Sequence, residues 1–174
     1  MRKLLIGLAV AAIAVPAWSA LPLGTKAPDF TTTGALAGKP FKLHLKEQLR
    51  NGPVVLYFFP KAFTKGCTLE AHAFSDASAE FRKLGARVIG MSRDDLPTLQ
   101  KFSVEECRNS FPVATASEAT AKAYDVTWAE RPELTTRTSY VIAPSGRIVM
   151  VHDDLDWSEH VQKTLAAVRA LKGK

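Results

Sequence analysis

The sequence predicts a mixed α/β domain, a central sheet of parallel and antiparallel strands flanked by helices. Three stretches carry that expectation. Residues 54–59 (VVLYFF) form an apolar run of strand length between Gly52-Pro53 and Pro60, and helical apolar spacing follows through Phe74, Ala77, Phe81 and Leu84. Arg87–Ser92 (RVIGMS) repeats the pattern, with a second helical segment from Leu96. Residues 137–143 (RTSYVIA) and 147–152 (RIVMVH) flank the turn Pro144-Ser145-Gly146, which reads as a hairpin. Strands joined by helices are parallel and a hairpin is antiparallel, so the sheet is expected to be mixed.

In chain order, residues 21–28 read as an extended arm with prolines at 22 and 28. Residues 30–33 and 41–45 read as short strands around a turn carrying Gly34, Gly38 and Pro40, with His44 facing solvent between Leu43 and Leu45. Residues 50–53 (RNGP) turn the chain into the central strand, and Gly85 stops the helix that follows it. Residues 96–109 keep helical spacing through Leu99 and Phe102, with Pro97 tolerable in a first turn and Cys107 near the end. A short strand at 111–114 and an alanine-rich helix at 118–124 precede an irregular stretch at 125–136. The last helix is expected from Asp156, with Glu159 completing a capping box, and buries Val161, Leu165, Val168 and Leu171.

At 174 residues, with 47% hydrophobic and 23% charged content, the chain suits one globular domain. Its start is different. Arg2 and Lys3 precede an apolar stretch of twelve, residues 4–15, which Pro16 ends. Twelve fall short of the roughly 20 needed to span a bilayer, so residues 1–19 read as a cleaved secretory signal and residues 20–174 as the mature domain. Cleavage after Ser19 places small residues, Ala17 and Ser19, at the recognition positions. The expected location is therefore periplasmic or secreted, with no stable membrane association after cleavage. Losing Arg2 and Lys3 takes the net charge from +6 to +4, and the basic residues are scattered, which argues against nucleic-acid binding.

Two cysteines in an exported chain admit a structural disulfide between Cys67 and Cys107 or a reactive thiol. The setting of Cys67 points to reactivity. A buried strand delivers it to the start of a helix, where unpaired amides and the helix dipole favour an anion. Moving a cysteine from about 8.5 to about 6 takes about 3.4 kcal/mol, and a helix N-terminus supplies at most about 2. A second positive group is therefore required. Lys61 and Lys65 are near in sequence but of a kind usually solvated. Arg137, opening a core strand, could reach the sulfur from the sheet's end, and its planar fork suits a thiolate and an oxygen ligand together.

Pro60, Thr64 and Cys67 stand in the spacing Pro-x-x-x-Thr-x-x-Cys within FFPKAFTKGCTLEA, between strand and helix. This resembles the active-site motif of the peroxiredoxins, most closely the Q, or bacterioferritin-comigratory-protein, type. The resemblance runs from APDF at Ala27 to RTSYVIAPSGRI. It implies a thioredoxin-like fold and thiol-dependent reduction of hydrogen peroxide or organic hydroperoxides, with no cofactor or metal. The electrons would come from a thioredoxin-like protein or a small thiol. Cys67 would be the peroxidatic nucleophile and pass through a sulfenic acid. Thr64 would bond the thiolate and the peroxide, Pro60 would shield the site, and Arg137 would stabilise charge on the departing oxygen. Glu70 would orient Arg137. Many Q-type members carry a resolving cysteine where this chain has His72; others carry it in the helix that residues 96–109 would form, which holds Cys107.

Two other readings share the fold: an exported thiol–disulfide exchange protein, and a non-catalytic domain or holdase stapled by Cys67–Cys107. The absence of a Cys-x-x-Cys pair counts against the first. His72 reads as a solvated helix residue. His152-Asp153-Asp154-Leu155-Asp156 and His160 lack metal-ligand spacing and read as a solvated loop and helix cap.

Overall fold

The computed structural model describes residues 20–173; the expected signal segment, residues 1–19, lies outside them. The sheet has seven strands in the order β2-β1-β5-β4-β3-β6-β7. At its centre is β3 (Val54–Phe58), where every residue is buried, as a strand covered on both faces requires. The parallel neighbour of β3 is β4 (Arg87–Ser92), which in turn pairs in parallel with β5 (Val113–Thr115). On the other side of β3 the chain adds β6 (Thr138–Ile142) and β7 (Ile148–Asp153), both antiparallel. β1 (Thr31–Leu36) and β2 (Lys39–His44) form a hairpin on the far edge. The sheet is mixed, as the sequence predicts.

Alternation along β3 sends Val55, Tyr57 and Phe59 to one core and Val54, Leu56 and Phe58 to the other. The first core lies under α2 (Lys65–Lys83), α3 (Leu96–Glu105) and α5 (His160–Lys172), and contains both cysteines. The second is closed by α1 (Leu45–Leu49), α4 (Glu118–Ala123) and the N-terminal arm. That arm is fastened by Leu21 N donating to Tyr140 Oη at 3.1 Å and Gly24 N donating to Ile148 O at 2.8 Å.

Three expectations are corrected. Helix α3 ends at Glu105, so Cys107 sits in a turn beyond it rather than on it. There Arg108 (φ 50°) and Asn109 (φ 60°) are left-handed, a conformation that no continuing α-helix accommodates. Asp156 does not cap α5: its Oδ1 accepts from Ser158 N at 3.0 Å, and the helix begins four residues later at His160. The side chain serves a local turn before any helix can form. Finally, β1 and β2 are longer than the short strands expected, because each supplies the other's partner through six paired positions.

Candidate active site

Strand β3 ends at Phe58, and the loop 59–64 carries the chain to the start of α2. Phe59 O accepts from the buried Thr135 hydroxyl at 2.8 Å, and Ala62 N donates to Asp94 Oδ2 at 2.8 Å. Ser92 Oγ donates to the same oxygen. The loop is thus pinned on both sides, and within it Phe63 takes a left-handed φ of 62° with its ring exposed and edge-on to Phe102. A non-glycine residue held there marks a loop fixed by its surroundings.

Thr64 is the N-cap of α2, but its hydroxyl donates to Lys61 O at 2.9 Å rather than capping the helix. Pro60 is half-buried at the loop's start. Cys67 is in the first turn of α2, 1% exposed, with its thiol free. First-turn amides lack intrahelical acceptors, so they present partial positive charge around the sulfur.

Arg137, the residue before β6, is 5% exposed. Its guanidinium is held on three sides: Nε donates to Leu155 O at 2.8 Å, Nη1 to Glu70 Oε2, and Nη2 to Cys67 Sγ at 3.5 Å. Burial works against its charge, but the Glu70 carboxyl and the Cys67 sulfur outweigh that, and Arg137 keeps its proton more firmly than usual. Gly66 makes the approach possible, because a Cβ there would stand 3.0 Å from Arg137 Nη2. Lys61 and Lys65 are exposed.

Glu70 is fully buried one turn along α2 from Cys67. Burial pushes its carboxyl up to about 8, against the opposing pull of Arg137. Its Oε1 has no hydrogen-bond partner and lies 3.6 Å from His160 Nδ1. His160 is wholly buried and not part of a solvated loop, which corrects the expectation for it. Its Nδ1 is 2.8 Å from Ser139 Oγ and its Nε2 is 2.9 Å from Asp154 O. Sequence reasoning missed this residue because the contact joins α5 to α2, with no local pattern to betray it.

Cys107 is also free and wholly buried, and burial, with Glu106 beside it, pushes its thiol well up. The Cys107 turn is tied to α2: His72 Nε2 meets Glu106 Oε2 at 2.8 Å, Arg108 Nη1 meets Asp76 Oδ1 at 2.8 Å, and Ser75 Oγ meets Ser110 Oγ at 2.9 Å. His72 is thus a partnered, partly covered residue, which corrects the solvated reading. The stapled alternative is not favoured, the two thiols being free in this structure.

The described residues of the site can therefore hold an anionic sulfur against a fixed cation at the floor of a pinned loop. A family profile described as the AhpC/TSA family matches residues 23–151. Peroxiredoxin Bcp of Xanthomonas campestris is 31% identical over 123 residues, covering 67% of this chain and 76% of that protein. The chloroplastic Peroxiredoxin Q of Populus jackii is 31% identical over 150 residues, covering 85% of this chain and 68% of that one. Among solved structures, the peroxidoxin BcpB of Mycobacterium tuberculosis superposes with a TM-score of 0.74 at 32% identity, covering 86% of this chain and 97% of that chain.

Proposed function

The chain belongs to the AhpC/TSA family as a peroxiredoxin of the Q type, a thiol-dependent peroxidase, and from that premise we propose which residues carry the reaction. Cys67 is the nucleophile. Its sulfur attacks one peroxide oxygen, the O–O bond breaks, and the other oxygen leaves with the bonding pair and takes up a proton as water or an alcohol. Cys67 becomes a sulfenic acid. Arg137 meets the charge that develops on the departing oxygen and holds the sulfur as an anion beforehand. The observation that carries this assignment is its Nη2 at 3.5 Å from Cys67 Sγ, with Nε and Nη1 anchored elsewhere. Glu70 orients Arg137, and Pro60 shields the loop. Thr64 supplies a hydroxyl to peroxide after turning from Lys61 O.

Cys107 then attacks the sulfenic sulfur, forming a Cys67–Cys107 disulfide and releasing water. A thioredoxin-like protein or a small thiol returns the two electrons by exchange. Both thiols lie in one apolar core, and the raised, buried Cys107 thiol becomes a nucleophile only when its turn opens. The enzyme works outside the cytoplasm as residues 20–174 after loss of residues 1–19. Two observations support this: the basic start with its apolar run, and an arm whose packing has begun by Leu21.

The test is peroxide consumption with a thiol donor, in the intact protein and in Cys67→Ser. Consumption that disappears in the folded variant is expected. Equal consumption by the two would remove Cys67 from the reaction.

A further inference from the structure

We propose that His160 is a positioning residue for the peroxidase site: its Nδ1 favours a neutral, protonated Glu70, leaving the charge of Arg137 free to face Cys67. The inference rests on the assignment of Cys67 and Arg137 above and deepens it.

The hydrogen bonds around His160 determine its tautomer. A carbonyl oxygen only accepts, so at 2.9 Å from Asp154 O the Nε2 atom carries a hydrogen. In the neutral ring Nδ1 then presents a lone pair, and Ser139 Oγ donates to it at 2.8 Å. That lone pair also faces Glu70 Oε1, 3.6 Å away, an oxygen fully buried with no donor of its own. Two lone pairs facing each other in a buried core cost free energy; a proton between them removes the cost. A protonated carboxyl suits every contact present. Oε2, as the carbonyl oxygen, accepts from Arg137, and the hydroxyl on Oε1 points towards Nδ1.

Charge counting favours the same state. Among the described residues, Arg137 is the one cation that meets both acids, Cys67 and Glu70. With both ionised the buried cluster would carry a net negative charge, whereas a neutral Glu70 leaves a balanced thiolate–guanidinium pair. The equilibrium at issue is Glu70-COO⁻ against Glu70-COOH, and an acceptor at Nδ1 tips it to the second. Burial acts in the same direction, pushing Glu70 up to about 8 and His160 down to about 4.

The surrounding groups do not reverse the balance. Tyr57 on β3 faces the cluster and is itself pushed well above its ordinary value by burial, so it stays neutral. His152 on β7 lies 4.5 Å from the His160 ring, and burial together with Lys163 keeps it low. Arg137 and His152 both disfavour a second proton on His160, and Asp154 opposes them. Asp156 is exposed at the rim, with its carboxylate held by Ser158.

Two readouts test this, one of them independent of turnover. In reduced protein at neutral pH, infrared difference spectra between wild type and Glu70→Gln are expected to show the carbonyl stretch of a protonated carboxylic acid, absent from the variant. The rate of Cys67 with hydrogen peroxide should fall at alkaline pH with an apparent midpoint near that of Glu70. His160→Gln offers an amide N–H to Oε1, favours the anion, and should move that limb to lower pH. Ser139→Ala frees Nδ1 for the Glu70 hydroxyl and should move it to higher pH. Melting curves establish that both variants fold. A carboxylate signal in place of the acid band would overturn the proposal, as would shifts of both variants in one direction or no shift in either. A wild type inert to peroxide but showing the acid band would instead overturn the assigned function.

Discussion

At the scale of the residue, the site depends on how closely one guanidinium approaches one sulfur. Gly66 is the residue over which Arg137 passes, and a Cβ there would press on Nη2 at 3.0 Å. Gly66→Ala should therefore keep the fold, since alanine suits a helix, yet slow peroxide attack by about tenfold or more as the donor is displaced. Stopped-flow measurement of Cys67 oxidation checks this, with a melting curve to confirm folding. Glu70 gives a second prediction, in stability. Its folded value, about 8, exceeds the ordinary carboxyl's 4.5, so between these values the folded chain keeps a proton that the unfolded chain has lost. Wild type should thus lose stability relative to Glu70→Gln as pH rises from about 4.5 to about 8, by on the order of 5 kcal/mol, and no further beyond. Denaturant midpoints of the pair across that range measure it. A gap that stays constant with pH would mean that Glu70 titrates alike in both states.

At the scale of the element, legibility followed how local the determining contacts are. β3, β4 and the body of α2 were readable because apolar runs and helical spacing record burial along one stretch of chain. The end of α3 was not, because the left-handed residues that stop it, Arg108 and Asn109, are not glycines. The start of α5 misled because Asp156 and Glu159 have capping-box spacing while Asp156 is engaged by Ser158. Cys67, Thr64, Pro60 and Glu70 lie in one continuous stretch, and Arg137 could be reasoned from the charge that a thiolate needs. His160 and Ser139 could not, since only folding brings α5 and β6 against α2. The Cys107 turn carries the prediction for this scale. One equivalent of peroxide should give a 67–107 disulfide on peptide mapping, and Cys107→Ser should instead retain a trappable sulfenic acid. A wild type that stops at sulfenic acid would make Cys107 a packing residue. Weakening the ties to α2 by Glu106→Gln should hasten disulfide formation, because the turn must leave α2 before the sulfurs meet.

At the scale of the whole molecule, the sheet holds the site together from both sides of β3. α2 follows β3 directly, while Arg137 enters at the end of β6, which pairs antiparallel with β3 so that Phe58 stands opposite Thr138. That register sets the end of one strand and the start of the other side by side, bringing the nucleophile's helix and its cation together without any flexible segment. The N-terminal arm closes the opposite core through Leu21, Gly24 and Tyr140. A chain beginning near Ala20 or Leu21 keeps these contacts. Intact-mass measurement of protein recovered from its native host should give such a start, and a full-length chain in the cytoplasmic fraction would overturn export.

The central claim is that Arg137 activates Cys67 towards peroxide. Its most direct measurement is the single-turnover rate constant for hydrogen peroxide with reduced wild type, Arg137→Lys and Arg137→Ala, each shown to be folded. A fall of about a hundredfold or more is expected in both variants, because lysine lacks the fork that bonds Glu70, Leu155 O and the sulfur together. Rate constants equal to wild type in folded variants would contradict it.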